Sequence, residues 1–248
     1  MPMINAYKPQ AEQTEYTLPP AGDYVGICYQ VIDIGTQSVP FKGEPSFKNQ
    51  VVISFELHGT NADGSPILLP DGRPFSLTYK HKGRLPTLSL SGKANLRNMI
   101  SAWRGKPVTD LETMQPSVVM KALIGLPATL AISHREYVKT DGTKGIGVDM
   151  TPPARVHPAI PVPKMVNDPL YFDIGEWSDE TFGKITKGWK TMIEKSAEFK
   201  ERCALISPAP GVKTLNLKPI NPSTGLPAQS IKDLGGPLDD PFDDQIPF

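Results

Sequence analysis

The chain has 248 residues, of which 39% are hydrophobic, and it contains 27 prolines and 21 glycines. This composition excludes a wholly disordered protein and is typical of one main globular domain with long irregular extensions. The 26 basic and 26 acidic residues cancel. Because neither a signal-peptide pattern nor an apolar stretch of about 18 residues occurs, we expect a cytoplasmic protein.

Three strands are predicted in the first third of the chain. The segment YVGICYQVIDI, residues 24–34, follows the turn PPAGD and is dominated by β-branched and aromatic residues. A polar, proline-marked loop, residues 35–50, leads to the alternating segment VVISFELHG, residues 51–59. After a passage with two Asp-Gly turns, FSLTYKH, residues 75–81, is predicted to form the third strand.

The hydrophobic period then changes from two residues to about 3.6, which indicates helices. The segment SGKANLRNMISAWRG, residues 91–105, is predicted to form an amphipathic helix with Ser91 as its N-cap and Gly105 at its end. A second short helix is predicted from Pro116, at a first helical position, to Gly125. The apolar face of the first helix consists of Leu96, Met99, Ile100 and Trp103.

A hairpin is predicted after this helical insert, from ATLAISHREYV, residues 128–138, through the turn KTDGTK to GIGVDM, residues 145–150. Three strands, a helical insert and a hairpin follow the order of the oligonucleotide/oligosaccharide-binding (OB) fold, a five-stranded Greek-key barrel. We therefore predict a mainly β protein with an OB-fold-like barrel. A different small barrel, or an open antiparallel sheet with one helical layer, is the alternative.

A proline-rich segment, residues 151–164, is predicted to end the barrel. One helix is then expected from Ser178, as its cap, to Cys203, although Gly183 and Gly188 weaken it. This helix either packs on the barrel, docks a partner or mediates self-association. Its apolar line consists of Phe182, Ile185, Trp189, Met192 and Ile193.

Four parts are expected along the chain. From Ser207 onward, proline, glycine and polar residues prevail, so we expect order to fade there. The parts are an N-terminal extension (1–20), an OB-like DNA-binding domain (21–152), a proline-rich linker with the C-terminal helix (153–205) and a flexible acidic tail (206–248).

No residues have the spacing of a catalytic or metal site. The segment SGKA, residues 91–94, is not a phosphate-binding loop, because Thr87 and Ala94 stand where that motif needs glycine and serine or threonine. Cys28 and Cys203 lie far apart in predicted elements, so we expect two buried thiols and no disulfide. We therefore expect no enzymatic activity, no cofactor and no metal. The scattered histidines are His58, His81, His134 and His157.

Aromatic and basic residues alternate in three stretches of the predicted barrel, the mixture that single-strand binding requires. A barrel would bring the first loop, the end of the third strand and the last hairpin to one groove. The alternative for Phe41, Phe47 and Tyr137 is that their rings fill the core. The predicted DNA-binding residues are Phe41, Lys42, Phe47, Lys48, Tyr79, Lys80, Lys82, Arg84, Arg135, Tyr137, Lys139 and Lys144.

The zero net charge conceals a division along the chain. Residues 231–248 carry one lysine against five aspartates, a net charge of −4, so residues 1–230 carry +4. A mildly basic body suits a polyanionic ligand such as nucleic acid.

The final segment DDPFDDQIPF resembles the acidic tip of bacterial single-stranded DNA-binding proteins, in which aspartates lead into Ile-Pro-Phe. Ile246, Pro247 and Phe248 match that tip, whereas Gln245 replaces its last acid. The rest of the chain does not resemble the bacterial N-terminal domain. A different barrel with the same tip is similar to the single-stranded DNA-binding proteins of phage replication modules.

This resemblance implies a protein that coats single-stranded DNA in replication, recombination or repair and recruits polymerase, helicase or primase-type proteins. A terminal carboxylate and the Phe248 ring suit an apolar pocket edged by basic residues. We also expect the −4 tail to compete with DNA for the protein's own groove. The partner-binding residues are Asp239, Asp240, Phe242, Asp243, Asp244, Ile246, Pro247 and Phe248.

Three alternatives compete with this interpretation. An interaction adaptor would mimic the tip to capture host repair or replication proteins without binding DNA. A nuclease or annealing enzyme would show metal-dependent turnover. A plain acidic tail would serve only solubility, although Ile-Pro-Phe is not needed for that.

Overall fold

A six-stranded sheet forms the centre of the structure, a computed structural model that describes residues 18–40, 44–139 and 142–206. The strand order is β3-β2-β1-β4-β5, with antiparallel neighbours, and β6 pairs in parallel with β1. The mainly β prediction is confirmed. The strands are β1 (Gly22–Ser38), β2 (Phe47–His58), β3 (Phe75–Thr78), β4 (Pro127–Val138), β5 (Lys144–Met150) and β6 (Leu170–Phe172).

The long strand β1 links both halves of the sheet because it bends. Its start, residues 22–27, pairs with β4, and residues 30–32 pair with β6 on the same side. Register shifts against β2 occur at two places, the second between Asp33 and Thr36. Gly35 lies there at φ +70°, and a Cβ at this residue would come 2.6 Å from Glu198 Oε2, so the bend requires glycine.

Three helices lie between β3 and β4, at the place where the sequence predicted a helical insert. The first ends at Gly105 in the left-handed conformation, φ 66°, and the third has Pro116 in its first turn, both as predicted. The cap prediction for Ser91 was wrong, because Ala94 is the N-cap. The helices are α1 (Asn95–Arg104), α2 (Asp110–Thr113) and α3 (Pro116–Lys121).

One face of the sheet packs against these helices in the larger of two cores. Trp103 is 1% exposed, its ring lies 5.2 Å from that of Phe55, and its Nε1 donates to the Pro127 carbonyl at 2.7 Å. Trp103, which lies on the apolar face predicted for the first helix, is therefore a core residue. Burying such a ring stabilises the fold by about 3 kcal/mol or more.

The other face of the sheet carries a second core, which includes residues beyond the predicted barrel. Ile32, Ile34 and Val52 meet Phe172 and Ile193 there. Because both faces of β2 are covered, its residues 50–57 are buried without interruption.

The single C-terminal helix predicted for residues 178–203 is three helices. Ile185 and Ser196 have extended backbones and separate them. Ser196 is buried, and its hydroxyl donates to the Ile193 carbonyl at 2.6 Å and accepts from Phe199 N–H at 3.2 Å, so the side chain satisfies both helix ends. The helices are α4 (Asp179–Lys184), α5 (Lys187–Lys195) and α6 (Ala197–Ile206).

The segment between β5 and β6, predicted as a linker, is held by a buried carboxylate on β2. Glu56 is fully buried and accepts from Val166 N–H at 2.9 Å, Asn167 N–H at 2.8 Å and Asn167 Nδ2 at 2.8 Å. His58 Nε2 lies 2.8 Å from Oε1, the oxygen that accepts from Val166, whereas Asn167 donates to Oε2. The described residues all fall within one compact unit, Met1–Pro208.

The two cysteines differ in environment. Cys28 is fully buried in β1, as predicted, and burial raises the pKa of its thiol. Cys203 is exposed in α6, so the prediction that it is buried was wrong. No helix of the described ranges is long and apolar enough to cross a membrane.

Candidate nucleic-acid interface

The two edge strands of the sheet, β3 and β5, line a single groove of about 820 Å³. Residues 76–78 form one wall and residues 147–150 the other. Because these strands stand at opposite ends of the strand order, the sheet curves until its edges face each other. We name this space the seam groove.

A two-residue hairpin turn, His81–Arg84, stands beside the seam groove. His81 N–H donates to the Arg84 carbonyl at 2.8 Å, and Arg84 N–H donates back at 3.0 Å. Lys82 has φ 49° and Gly83 has φ 77°, the positive values that a type I′ turn requires. A lysine in this left-handed conformation costs on the order of 1 kcal/mol. Backbone preference therefore does not explain why a lysine occupies this turn.

Lys80, Lys82 and Arg135 reach the seam groove together. The two lysines have no acidic partner in the described part of the chain. Arg135 donates to both oxygens of Asp149, at 2.8 and 3.4 Å, and this guanidinium lowers the pKa of Asp149. The groove therefore has a net positive charge that comes from the lysines.

A second basic depression lies on the other side of the hairpin turn. Its volume is about 700 Å³, and Lys48, Lys82 and Arg84 line it, so the residues predicted for one groove lie along two spaces. Lys93 also lines it and was not predicted. The turn thus stands between two spaces lined by cations.

Tyr137 offers an exposed aromatic face near the seam groove. The residue is 42% exposed and pairs with Gly145 across the β4–β5 hairpin. A Cβ at Gly145 would come 2.7 Å from the ring Cζ, so the ring lies flat on the backbone of β5. The glycine leaves space for the ring, whose outer face remains accessible. The alternative that Tyr137 fills the core was wrong.

Tyr79 does not fit its predicted role. It is 3% exposed and belongs to the larger core, where burial raises the pKa of its hydroxyl. A ring enclosed in this way has no face on which a base can stack. The strand predicted for residues 75–81 ends at Thr78, and the chain that follows turns the ring of Tyr79 into the core.

The other predicted residues are exposed at the rims. Phe47, 70% exposed at the start of β2, does not fill the core. Lys139 is exposed at the end of the β4–β5 hairpin, and Lys144 Nζ lies 3.5 Å from Glu136 Oε2, a weak surface pair. Phe41, Lys42 and the tail residues 239–248 lie outside the described residues.

Two contributors to this surface were missed, and both were visible in the sequence. Lys93 stands in the segment SGKA, which was considered only as a phosphate loop. Trp189, which lines the seam groove, was assigned to the apolar line of a helix. No group of three or more His, Cys, Asp or Glu side chains within the described ranges is placed to hold a metal ion.

Comparison of the chain with protein-family models, with curated proteins and with solved structures found no significant match. The function proposed below therefore rests on the residues and their geometry.

Proposed function

We propose that this protein is a non-catalytic, phage-type single-stranded DNA-binding protein that coats exposed strands without strong sequence specificity during replication or recombination. The observation that carries the proposal is the seam groove, in which Lys80 and Lys82 have no acidic partner among the described residues and lie near the exposed face of Tyr137. Cations bind the phosphates, and the ring stacks a base of any identity.

Single strands are favoured over duplex because of the aromatic face. In a duplex the base faces are stacked on each other, so the Tyr137 ring gains nothing there. Cations alone bind both forms through phosphate contacts and counterion release. The preference for single strands therefore comes from stacking, and the salt dependence comes from the lysines.

We also propose that the sheet is a partly open OB barrel. Its order β3-β2-β1-β4-β5 leaves β3 and β5 facing each other across the groove, where the closing pair of such a barrel belongs. OB folds bind oligonucleotides on strands 2 and 3 and on the loops after strands 1 and 4. Phe47 and Lys48 begin β2, and Lys139 and Lys144 flank the loop after β4.

The acidic segment 239–248 is proposed to bind replication or repair proteins and, when no DNA is bound, to compete for the protein's own basic groove. Its aspartates suit a basic surface, and its Ile-Pro-Phe suits an apolar pocket. Removing residues 231–248 should raise the affinity for oligonucleotides at low salt and abolish capture of polymerase, helicase or primase-type proteins. Removal without a gain in DNA affinity would contradict the competition, and loss of both activities would contradict this division of roles.

The proposed function is tested by titrating fluorescently labelled oligo-dT and a labelled duplex with the protein at two salt concentrations, without metal. Tight, salt-sensitive binding to the single strand with little binding to the duplex is the expected result. If the protein binds neither form, the proposal is wrong and the adaptor alternative gains support. Metal-dependent turnover of the strand would instead identify an enzyme.

A further inference from the structure

The chain has three tryptophans, and the structure accounts for two of them. Trp103 is a core residue whose Nε1 donates to the Pro127 carbonyl at 2.7 Å. Trp177 donates to Asp179 Oδ1 at 2.7 Å, packs edge-on against Phe172 at 5.2 Å and lies under the Arg202 guanidinium at 4.8 Å. Both indoles therefore have structural partners for ring and N–H.

Trp189 in α5 has a different environment. It is half-buried, with one side against the second core. In the described part of the chain its N–H has no hydrogen-bond acceptor, and its ring has no aromatic or cationic partner. One side of the indole therefore covers the second core, while the rest of the ring and its N–H stay available for a ligand.

Trp189 also stands where two cation-lined spaces meet. It lines the seam groove together with Lys80 and Lys82. It lines a neighbouring space of about 420 Å³ together with Lys80 and Arg84. A strand that leaves the seam groove past the hairpin turn therefore meets this indole between two sets of phosphate-binding groups.

We propose that Trp189 is a second base-stacking residue of the nucleic-acid site, so that one single strand runs from Tyr137 past Lys80 and Lys82 to Trp189. This inference rests on the proposed function and extends the site beyond the sheet. It gives the C-terminal helices α4 to α6 a role, which is to hold an aromatic face beside the groove.

The helices are anchored firmly enough to hold the ring in place. Ile193, one turn after Trp189, is fully buried in the second core. In α6, Glu198 accepts from Thr36 N–H at 2.8 Å and from Thr36 Oγ1 at 2.6 Å, which fixes the segment to β1. A ring positioned before binding loses little conformational freedom when a base stacks on it.

If Trp189 stacks on a base, its variants of the full chain should behave differently than if it only covers the second core. Oligo-dT should quench the tryptophan fluorescence of the wild type and of Trp177→Phe, whereas Trp189→Phe should lose most of that quenching. Trp189→Leu should bind labelled oligo-dT about 5-fold to 100-fold more weakly, the range expected for one stacked base. Trp189→Phe should lose less affinity, because phenylalanine also stacks.

Each outcome bears on a separate claim. Undiminished quenching in Trp189→Phe, together with wild-type affinity in Trp189→Leu and an unchanged urea midpoint, would overturn the role of Trp189 while the proposed function stands. Absence of any oligo-dT binding by the wild type would overturn the proposed function and this inference with it. The conservative phenylalanine variant, which keeps an aromatic ring, keeps the test valid if the leucine variant unfolds.

Discussion

At the residue scale, a substitution at Lys82 should weaken DNA binding without lowering the stability of the fold. It occupies a left-handed position, φ 49°, where asparagine is favoured over lysine. Lys82→Asn should therefore be at least as stable as the wild type in urea, while its affinity for oligo-dT falls and the slope of log affinity against log salt shrinks by about 0.7. Lys164→Asn, at an exposed lysine that lines neither groove, is the matched control. An unchanged slope in Lys82→Asn would exclude a phosphate contact.

Tyr137 allows the stacking contribution to be measured alone. Tyr137→Ala should weaken oligo-dT binding by about 1–3 kcal/mol, whereas Tyr137→Phe should bind nearly as the wild type, because the ring and not the hydroxyl stacks. Fluorescence anisotropy of labelled oligo-dT measures both. Val138→Ala, at a 69% exposed neighbour, serves as the control. Equal losses in Val138→Ala and Tyr137→Ala would point to a general effect on the strand.

The buried carboxyl of Asp33 should make the stability of the fold depend on pH. Burial, with the negative charges of Asp173 and Glu198, raises its pKa to about 6 although Gly35 N–H donates to it at 2.9 Å. Its unfolded pKa is about 3.9, so its stabilising contribution is complete below that value and is lost as pH rises through about 6. Asp33→Asn should then be more stable than the wild type at pH 7, by about 2–3 kcal/mol, and not at pH 4.

Urea unfolding of Asp33→Asn at both pH values measures this difference. Glu194→Gln, at an exposed residue, is the control and should show no such change between the two pH values. If Asp33→Asn and the wild type differ equally at pH 4 and pH 7, the carboxyl does not titrate as proposed.

At the element scale, Glu56 attaches the proline-rich segment to the sheet. Burial alone would raise its pKa, but hydrogen bonds from Asn167, His58 and Val166 outweigh this and hold the pKa below its usual value. Glu56→Gln places an amide against these donors and should cost about 3 kcal/mol at pH 7. The stabilisation by Glu56 is present above the unfolded pKa of about 4.3 and is lost as pH falls through the lower folded value.

Chemical unfolding at several pH values tests the role of Glu56. The difference between the wild type and Glu56→Gln should narrow below about pH 4, where the carboxylate is protonated in the unfolded chain. Glu180→Gln, at an exposed i,i+4 pair with Lys184, should change stability little at any pH. A constant gap down to pH 2 would contradict the account.

Element prediction succeeded where the local signal was strong. Alternation and turn residues located five strands, and the 3.6-residue period located α1 with its Gly105 end. The helix α2 was not predicted, although Thr109 and Glu112 form a capping box at its start. A helix of only four residues is too short to show a hydrophobic period. The short strand β6 and the breaks at Ile185 and Ser196 follow from tertiary packing and have no local signal.

At the scale of the whole molecule, composition and order predicted the class of fold but not the shape of the site. No local sequence pattern predicts that β3 and β5 face each other across a groove, because this arrangement depends on the order of strands in the sheet. Lys80 and Lys82 were predicted from their alternation with aromatic residues, whereas the burial of Tyr79, the residue after β3, depends on tertiary packing. Trp189 reaches the groove only because α5 packs back on β1.

The central claim is that a single strand of DNA binds along the seam groove. The most direct test is the salt dependence of oligo-dT affinity for the wild type and for the double variant Lys80→Gln/Lys82→Asn, with Lys164→Gln/Lys195→Gln as the control. The double variant should lower the slope of log affinity against log salt by about 1.4, and the control should leave it unchanged. Equal slopes in all three proteins would show that the strand does not bind at these lysines and would contradict the account.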